Sequence, residues 1–329
     1  MNEDDVATAR YLIVGGAGFL GSHFCDRLLA DSGTARVTVY DNLSSGQAWH
    51  LAQHRGDDRF QFVEADVQDR ARLRDTMAGH GTVIHLAANP DIARAATDPD
   101  VDFDEGTVLT RNVLEAMRLS GTRRILYASG SGVYGDLGAA EVAEDLGDMR
   151  PISTYGASKL ACEALISSYV HMFGISGLCF RFANVVGPRQ THGVGYDFLR
   201  KLRDDPTRLD ILGDGRQSKS YLHVDDTVAA VLRAHVRCED PFQVFNVATG
   251  DAITVRQIAD MAVACMELVT DTVTYAFGDD DRGWKGDVPV VRLNTARIRN
   301  LGWQCGNTSR AAMERSLAAL KEEMSREAG

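Results

Sequence analysis

Four largely apolar residues, Tyr11-Leu-Ile-Val14, lead straight into Gly15-Gly-Ala-Gly-Phe-Leu-Gly21, and the segment beyond carries Phe24, Leu28 and Leu29 at helical spacing. So short and continuous an apolar run predicts a strand buried on both faces, as in a parallel sheet covered by helices. Glycines at every third position then let the chain turn tightly and start a helix pressed close against the strand. That junction predicts the opening β–α unit of a doubly wound sheet.

The rest of the first half repeats the alternation. Strand-like stretches at 36–40, 60–64, 82–86, 124–128 and 178–182 are separated by helical stretches at 70–77, 108–119 and 157–173. Alternation of this kind predicts an α/β fold, a doubly wound parallel (Rossmann) sheet with right-handed crossovers. Beyond about residue 184 the pattern loosens. Helices are expected at 194–203, 224–234, 254–268 and 308–326, and 242–247 reads as a strand returning to the sheet. The expected organisation is a first domain over 8–184 with a returning segment near 224–250, and a smaller C-terminal α/β lobe mainly over 185–329.

Composition excludes several function classes. A formal charge of −11 argues against binding a nucleic-acid backbone, so any anionic substrate must be held by local donors. Six cysteines without a CxxC pair predict neither a metal site nor a disulfide framework, and fit reduced thiols in a cytoplasmic protein. The acidic start, Met1-Asn-Glu-Asp-Asp-Val6, does not read as a signal peptide, and no apolar run approaches the ~18 residues of a membrane span.

The glycine turn carries chemistry as well as fold. Gly15 suits a tight turn, Gly18 a close approach to a pyrophosphate, and Gly21 close helix–strand packing. The anion would rest on free N–H groups in the opening helical turn, where Phe19 and Leu20 stand. Asp41 closes the next strand, 20 residues after Gly21, with Asn42 behind it. A carboxylate there accepts from ribose hydroxyls and repels a 2′-phosphate, which predicts NAD in preference to NADP. Asp66, followed by Val67, stands where it could bond the adenine amino group, or else cap the helix from Arg70. Leu86, Ala87, Ala88 and Ala128 lie at the carboxyl ends of strands, where small residues let the chain pass close to a cofactor.

About 135 residues downstream come Tyr155 and Lys159, four apart in Thr154-Tyr-Gly-Ala-Ser-Lys159. A phenol of pKa ~10 is a poor base at neutral pH. A lysine one helical turn away on the same face favours the phenolate, so that Tyr155 can exchange a proton with a substrate alcohol as hydride moves to or from its carbon. Lys159 can also bond the nicotinamide ribose.

With these motifs stand His85-Leu-Ala-Ala-Asn-Pro90, Val133-Tyr-Gly135, Arg181-Phe-Ala-Asn-Val-Val-Gly-Pro188, the stretch from Gly213 to Val224, and Arg282-Gly-Trp-Lys-Gly-Asp287. Over nearly its whole length the chain resembles an extended short-chain dehydrogenase/reductase of the nucleotide-sugar epimerase/dehydratase family, nearest to its compact UDP-galactose 4-epimerase-like members. The resemblance implies C4 inversion of a UDP-hexose through a transient 4-keto sugar, with NAD as a cofactor not consumed overall. It implies that Asn184, Lys219, Tyr221 and Arg282 face a sugar diphosphate, with Arg94 and His192 as weaker candidates toward the hexose. It also implies a homodimer through the helices at 108–119 and 157–173.

Two departures mark this chain. The position of a substrate-orienting Ser or Thr is Gly130, flanked by Ser129 and Ser131. On an extended strand those neighbours point away from the Gly130 face, so either the backbone turns to present a serine, Ser131 before Ser129, or a water or the substrate itself fills the gap. Gly106 stands where relatives carry an asparagine near the nicotinamide. No acid precedes Val133, which disfavours dehydratase and decarboxylase chemistry. A UDP-glucuronate epimerase or decarboxylase, a nucleotide-sugar dehydratase, a 4-ketoreductase and a non-catalytic NAD-binding regulator stand as alternatives.

Overall fold

The computed structural model describes residues 9–327, so the acidic N-terminal hexapeptide, the expected domain start at residue 8 and the last two residues lie outside the described part. A seven-stranded sheet is built from β1 (Ala9–Val14), β2 (Thr34–Asp41), β3 (Phe60–Glu64), β4 (Thr82–His85), β5 (Arg124–Gly130), β6 (Ser176–Phe182) and β7 (Phe242–Val247). Their spatial order is β7-β6-β5-β4-β1-β2-β3. Pairings of β1 with β2 and β4, β2 with β3, and β4 with β5 are all parallel. At the edge, Gly177 N–H donates to the Pro241 carbonyl and Ala183 N–H to that of Val247, a constant offset that makes β7 parallel to β6. Strand order reverses between β1 and β4, the point where open α/β sheets leave a crevice at the strands' carboxyl ends.

Helices of this half include α1 (Phe19–Leu29), α2 (Arg70–Met77), α3 (Leu109–Ser120) and α4 (Thr154–Phe173), and Val224–Arg237 precedes β7. Leu73 and Met77 of α2, Val113, Leu114 and Met117 of α3, and Ile166 of α4 cover one sheet face in a single buried cluster with Leu12, Val14 and Tyr127. Asp69, not Asp66, caps α2 by accepting from Arg72 N–H, which corrects the capping alternative for Asp66.

Three local features depart from expectation. A π-helical turn, Phe103–Val108, precedes α3. Helix α4 begins at Thr154, so Tyr155 lies in its first turn. Strand β5 runs two residues past its expected end, to Gly130, and then coils into a 3₁₀ turn, Ser131–Tyr134.

The chain divides into two compact units: residues up to Val133 with Thr154–Arg181 and Val228–Phe245, and Tyr134–Ser153 with Phe182–Thr227 and Asn246 onward. In the second unit, Asn184–Val186 pairs in parallel with Tyr221–His223, and Arg208–Ile211 with Thr274–Phe277. Ser218–Lys219 pairs antiparallel with Ile253–Thr254. Helices Val194–Asp204, Val255–Cys265 and Ser309–Glu327 enclose a core that includes Phe198, Leu202, Ile258, Met313 and Leu317. Thr254 and Gln257 form a capping box on the second of these helices, satisfying two donors at its start.

Candidate active site

The glycines at the β1–α1 junction divide by physical duty. Gly15 has φ +79°, and a Cβ there would stand 2.6 Å from Ala87 N. A Cβ at Gly21 would stand 2.4 Å from both the Gly15 carbonyl oxygen and Gly16 Cα. Neither position admits a side chain. Gly18 differs: its φ is −74°, and a Cβ would meet only the Gly15 oxygen, at an ordinary 3.5 Å. Nothing within the protein requires glycine at position 18, at the start of a helix that carries Phe19 and Leu20 in its first turn. An approaching anion does, so the residues present fit a dinucleotide pyrophosphate.

Asp41 is buried at the end of β2. It accepts from Ala17 N–H (2.9 Å) and Leu43 N–H (2.8 Å), one bond to each carboxylate oxygen. Burial pushes its carboxyl pKa up, and those two bonds pull it down. Asn42 donates to Asp66 at 2.8 Å, and the exposed Asp66 also accepts from Gln68 N–H, so these two side chains form one polar rim beyond β2 and β3. Val67, expected at the cofactor, packs instead in the core cluster with Leu73 and Met77. Leu86 and Ala87 both donate through N–H to the Val14 carbonyl, which holds the post-β4 segment against the glycine turn. Ala88 follows directly on that segment.

Lys159 is buried and donates to the Ala128 carbonyl at 2.8 Å. Its ammonium lies 5.1 Å from the Tyr127 ring centre and 5.4 Å from that of half-buried Tyr155. Burial raises the Tyr127 phenol well above its ordinary range, so Tyr127 stays neutral. His85 lies beside that ring, bonded to Thr110, and burial together with Lys159 lowers its pKa to about 3. Lys159 is thus the cation beside Tyr155, with neutral rings around it.

Helix α4 is also tied at its start. Thr154 donates to buried Asp102 at 2.7 Å, and Asp102 accepts from Asn89 at 2.8 Å, joining the segment after β4 to the turn that carries Tyr155. Gly106, in the π turn, leaves room for Ser158: a Cβ there would stand 2.3 Å from Ser158 Oγ. Ser158 in turn bonds Thr107.

At the end of β5 the two serines part company. Ser129 is buried and donates to Glu163 at 2.5 Å, so the proposed substrate contact through Ser129 is corrected: its hydroxyl is spent inside the fold. Ser131 opens the 3₁₀ turn, half-buried. A Cβ at Gly132 would lie 3.7 Å from Gly156 Cα, which sets this turn beside the first turn of α4, next to Tyr155.

In the second unit, Asn184 is exposed on its strand. Lys219 pairs with Asp287, whose other oxygen accepts from Gly283 N–H. Arg282 donates to Asp136 (2.6 Å) and to the Asp287 carbonyl (2.5 Å). Asp136 and Asp287 were not anticipated, and they bring the two expected phosphate-facing cations into one network. Tyr221 is a core residue, its phenol pKa raised by burial and by Asp287. Arg94 is exposed and paired with Asp98 and Glu105, and His192 is exposed beside Thr191. Among the described residues no group of three or more His, Cys, Asp or Glu is placed to hold a metal ion, and no helix is long and apolar enough to cross a membrane.

A Rossmann sheet with a pyrophosphate-ready glycine turn and a tyrosine–lysine pair at the start of α4 defines a dinucleotide-dependent enzyme. The family model for the NAD dependent epimerase/dehydratase family matches residues 11–248, and the chain belongs to that family. NAD is its cofactor. The chain is 36% identical over 303 residues to a UDP-glucose 4-epimerase of Mycolicibacterium smegmatis, covering 90% of this chain and 93% of the other. A crystal structure of a UDP-galactose 4-epimerase superposes with a TM-score of 0.84 at 36% identity, over 96% of this chain and 99% of that one. A dTDP-glucose 4,6-dehydratase of Streptomyces venezuelae, solved with NAD bound, gives a TM-score of 0.88 at 25% identity over 96% of this chain and 98% of that one.

Proposed function

We propose that the protein inverts C4 of a UDP-hexose. The observation that carries this reading is the join between β5 and α4. Lys159 is fixed on the Ala128 carbonyl beside Tyr155, while residues 129–135 contain no carboxylate. A dehydratase or decarboxylase needs further acid–base help at this edge, whereas inversion through a ketone needs one group to take and return a single proton.

Gly15, Gly18, Phe19, Leu20 and Gly21 would hold the NAD pyrophosphate, Asp41 the adenosine ribose and Lys159 the nicotinamide ribose. Bound NAD supplies a reversible hydride acceptor. Tyr155 takes the C4 hydroxyl proton from the substrate as the alcohol becomes a ketone, and returns it when the alcohol re-forms on the opposite face. Lys159 stands beside this phenol, its nitrogen 5.4 Å from the Tyr155 ring centre. Ser131 orients the C4 oxygen. Asn184, Lys219 and Arg282 bind the diphosphate, for which cationic donors suit the charge. Tyr221 supports this set from the core. The protein works in the cytoplasm, consistent with six free cysteines, and as a homodimer through α3 and α4, where Leu119 and Met172 are 55% and 70% exposed.

The test is incubation of the NAD-loaded enzyme with UDP-glucose, UDP-galactose, their N-acetylated forms and UDP-glucuronate, followed by chromatography of the sugar nucleotides. A C4 epimer formed without stoichiometric NADH consumption is expected. Absence of any epimer, or stoichiometric NADH oxidation, overturns the reading.

A further inference from the structure

Glu163 lies two turns beyond Tyr155 and one beyond Lys159, on the same face of α4. It is 4% exposed, and its partners are buried as deeply, Arg181 at 2% and Ser129 at 5%. Arg181 grips it with two nitrogens, Nε to Oε1 at 3.0 Å and Nη2 to Oε2 at 2.6 Å, and Ser129 donates to Oε1 at 2.5 Å. One carboxylate on α4 thus ties β6 and the end of β5 together. With Lys159 on the Ala128 carbonyl and Gly132 against Gly156, β5 and its following turn meet α4 at three successive places.

That stitching matters because the next residues lack stiffness of their own. Gly130 and Gly132 bracket Ser131, and the protein's packing demands glycine at neither. A Cβ at Gly130 would meet no heavy atom within 4 Å, and its φ lies outside the left-handed region. Two glycines around one serine leave its position to be set by what holds the chain on either side.

We propose that Glu163 and Ser129 are positioning residues: the buried Ser129–Glu163–Arg181 clamp fixes the end of β5 so that the glycine-flanked Ser131 turn keeps its place beside Tyr155. The clamp touches neither substrate nor cofactor. It acts through Ser131, and for its effect on turnover it rests on the C4-epimerase reading.

Glu163→Gln strips a buried guanidinium of its counter-charge and endangers folding, so the decisive variant is Ser129→Ala, which removes one hydrogen bond and leaves the Arg181–Glu163 pair intact. Amide hydrogen exchange of the NAD-loaded enzyme is followed over residues 129–135, beside kcat, KM and NAD content. In Ser129→Ala, exchange at 131–134 should quicken while α4 and NAD content stay as in the wild type. The kcat should fall roughly tenfold to hundredfold, as small misplacements of reacting groups do, with KM within about twofold. Adding Gly130→Ala, which the open space there accepts, should restore protection and part of the lost kcat. Unchanged exchange in Ser129→Ala, unchanged kcat despite faster exchange, or no recovery with Gly130→Ala overturns the proposal. If the wild type epimerises no UDP-hexose, the functional reading alone fails, and the exchange measurements still decide the clamp.

Discussion

Ser131 and Gly130 together pose the sharpest residue-scale question. If Ser131 supplies the hydroxyl absent from position 130, Ser131→Ala should lower kcat by ~10²–10³, the range for losing one preorganised donor. Gly130→Ser in that background should recover part of the loss, because the backbone is not left-handed and nothing crowds a Cβ there. Steady-state rates of the two single variants and the double variant check both statements. At this scale the sequence was legible for Tyr155 and Lys159, whose four-residue spacing is local and survives as one face of α4. It was blind to what Ser129 does. That depends on Glu163, 34 residues away, and on Arg181, 18 further along, a contact that only the packing of α4 on the sheet creates.

Elements show the same division. The strands were readable because parallel strands buried on both faces are nearly continuous apolar runs. Helix starts were less so: the start of α4 is held by Thr154 on Asp102, a partner 52 positions earlier, and the π turn before α3 sets Gly106 against Ser158, 52 positions later. The β1–α1 junction gives a prediction that separates binding from folding. Gly18→Ala should sharply lower NAD retention and change stability by only ~1 kcal/mol, since a Cβ there meets the Gly15 oxygen at an ordinary 3.5 Å. Gly21→Ala should destabilise by several kcal/mol, about 2–4, because its methyl would press on two backbone atoms. NAD content of the purified variants and their urea midpoints distinguish the two behaviours.

For the whole molecule, buried histidines predict how acid destabilises the fold. Burial, aided by Lys159, lowers His85 from an ordinary 6.5 to about 3, and burial, aided by Arg124, lowers His235 to about 4. Both are neutral in the native state at pH 5, while the unfolded chain protonates them below pH 6.5. Their contribution to stability is therefore present above pH 6.5 and is lost as pH falls from there toward the folded values. Linkage puts the loss at about 2 kcal/mol per histidine between pH 7 and pH 5. Urea midpoints at the two pH values measure it, and His235→Gln, which does not titrate, should remove about half of what these two histidines contribute.

Asp41 carries a consequence for redesign. Exchanging the acid at the end of β2 for a small neutral residue is the obvious route toward accepting NADP. Here the same carboxylate holds Ala17 within the glycine turn and Leu43, which sits at φ +58° where non-glycine residues rarely rest. If Asp41 holds the adenosine ribose as proposed, coenzyme choice and loop architecture are one property of this chain. A retooled variant would need a second change that re-anchors both backbone amides before a new preference could be selected.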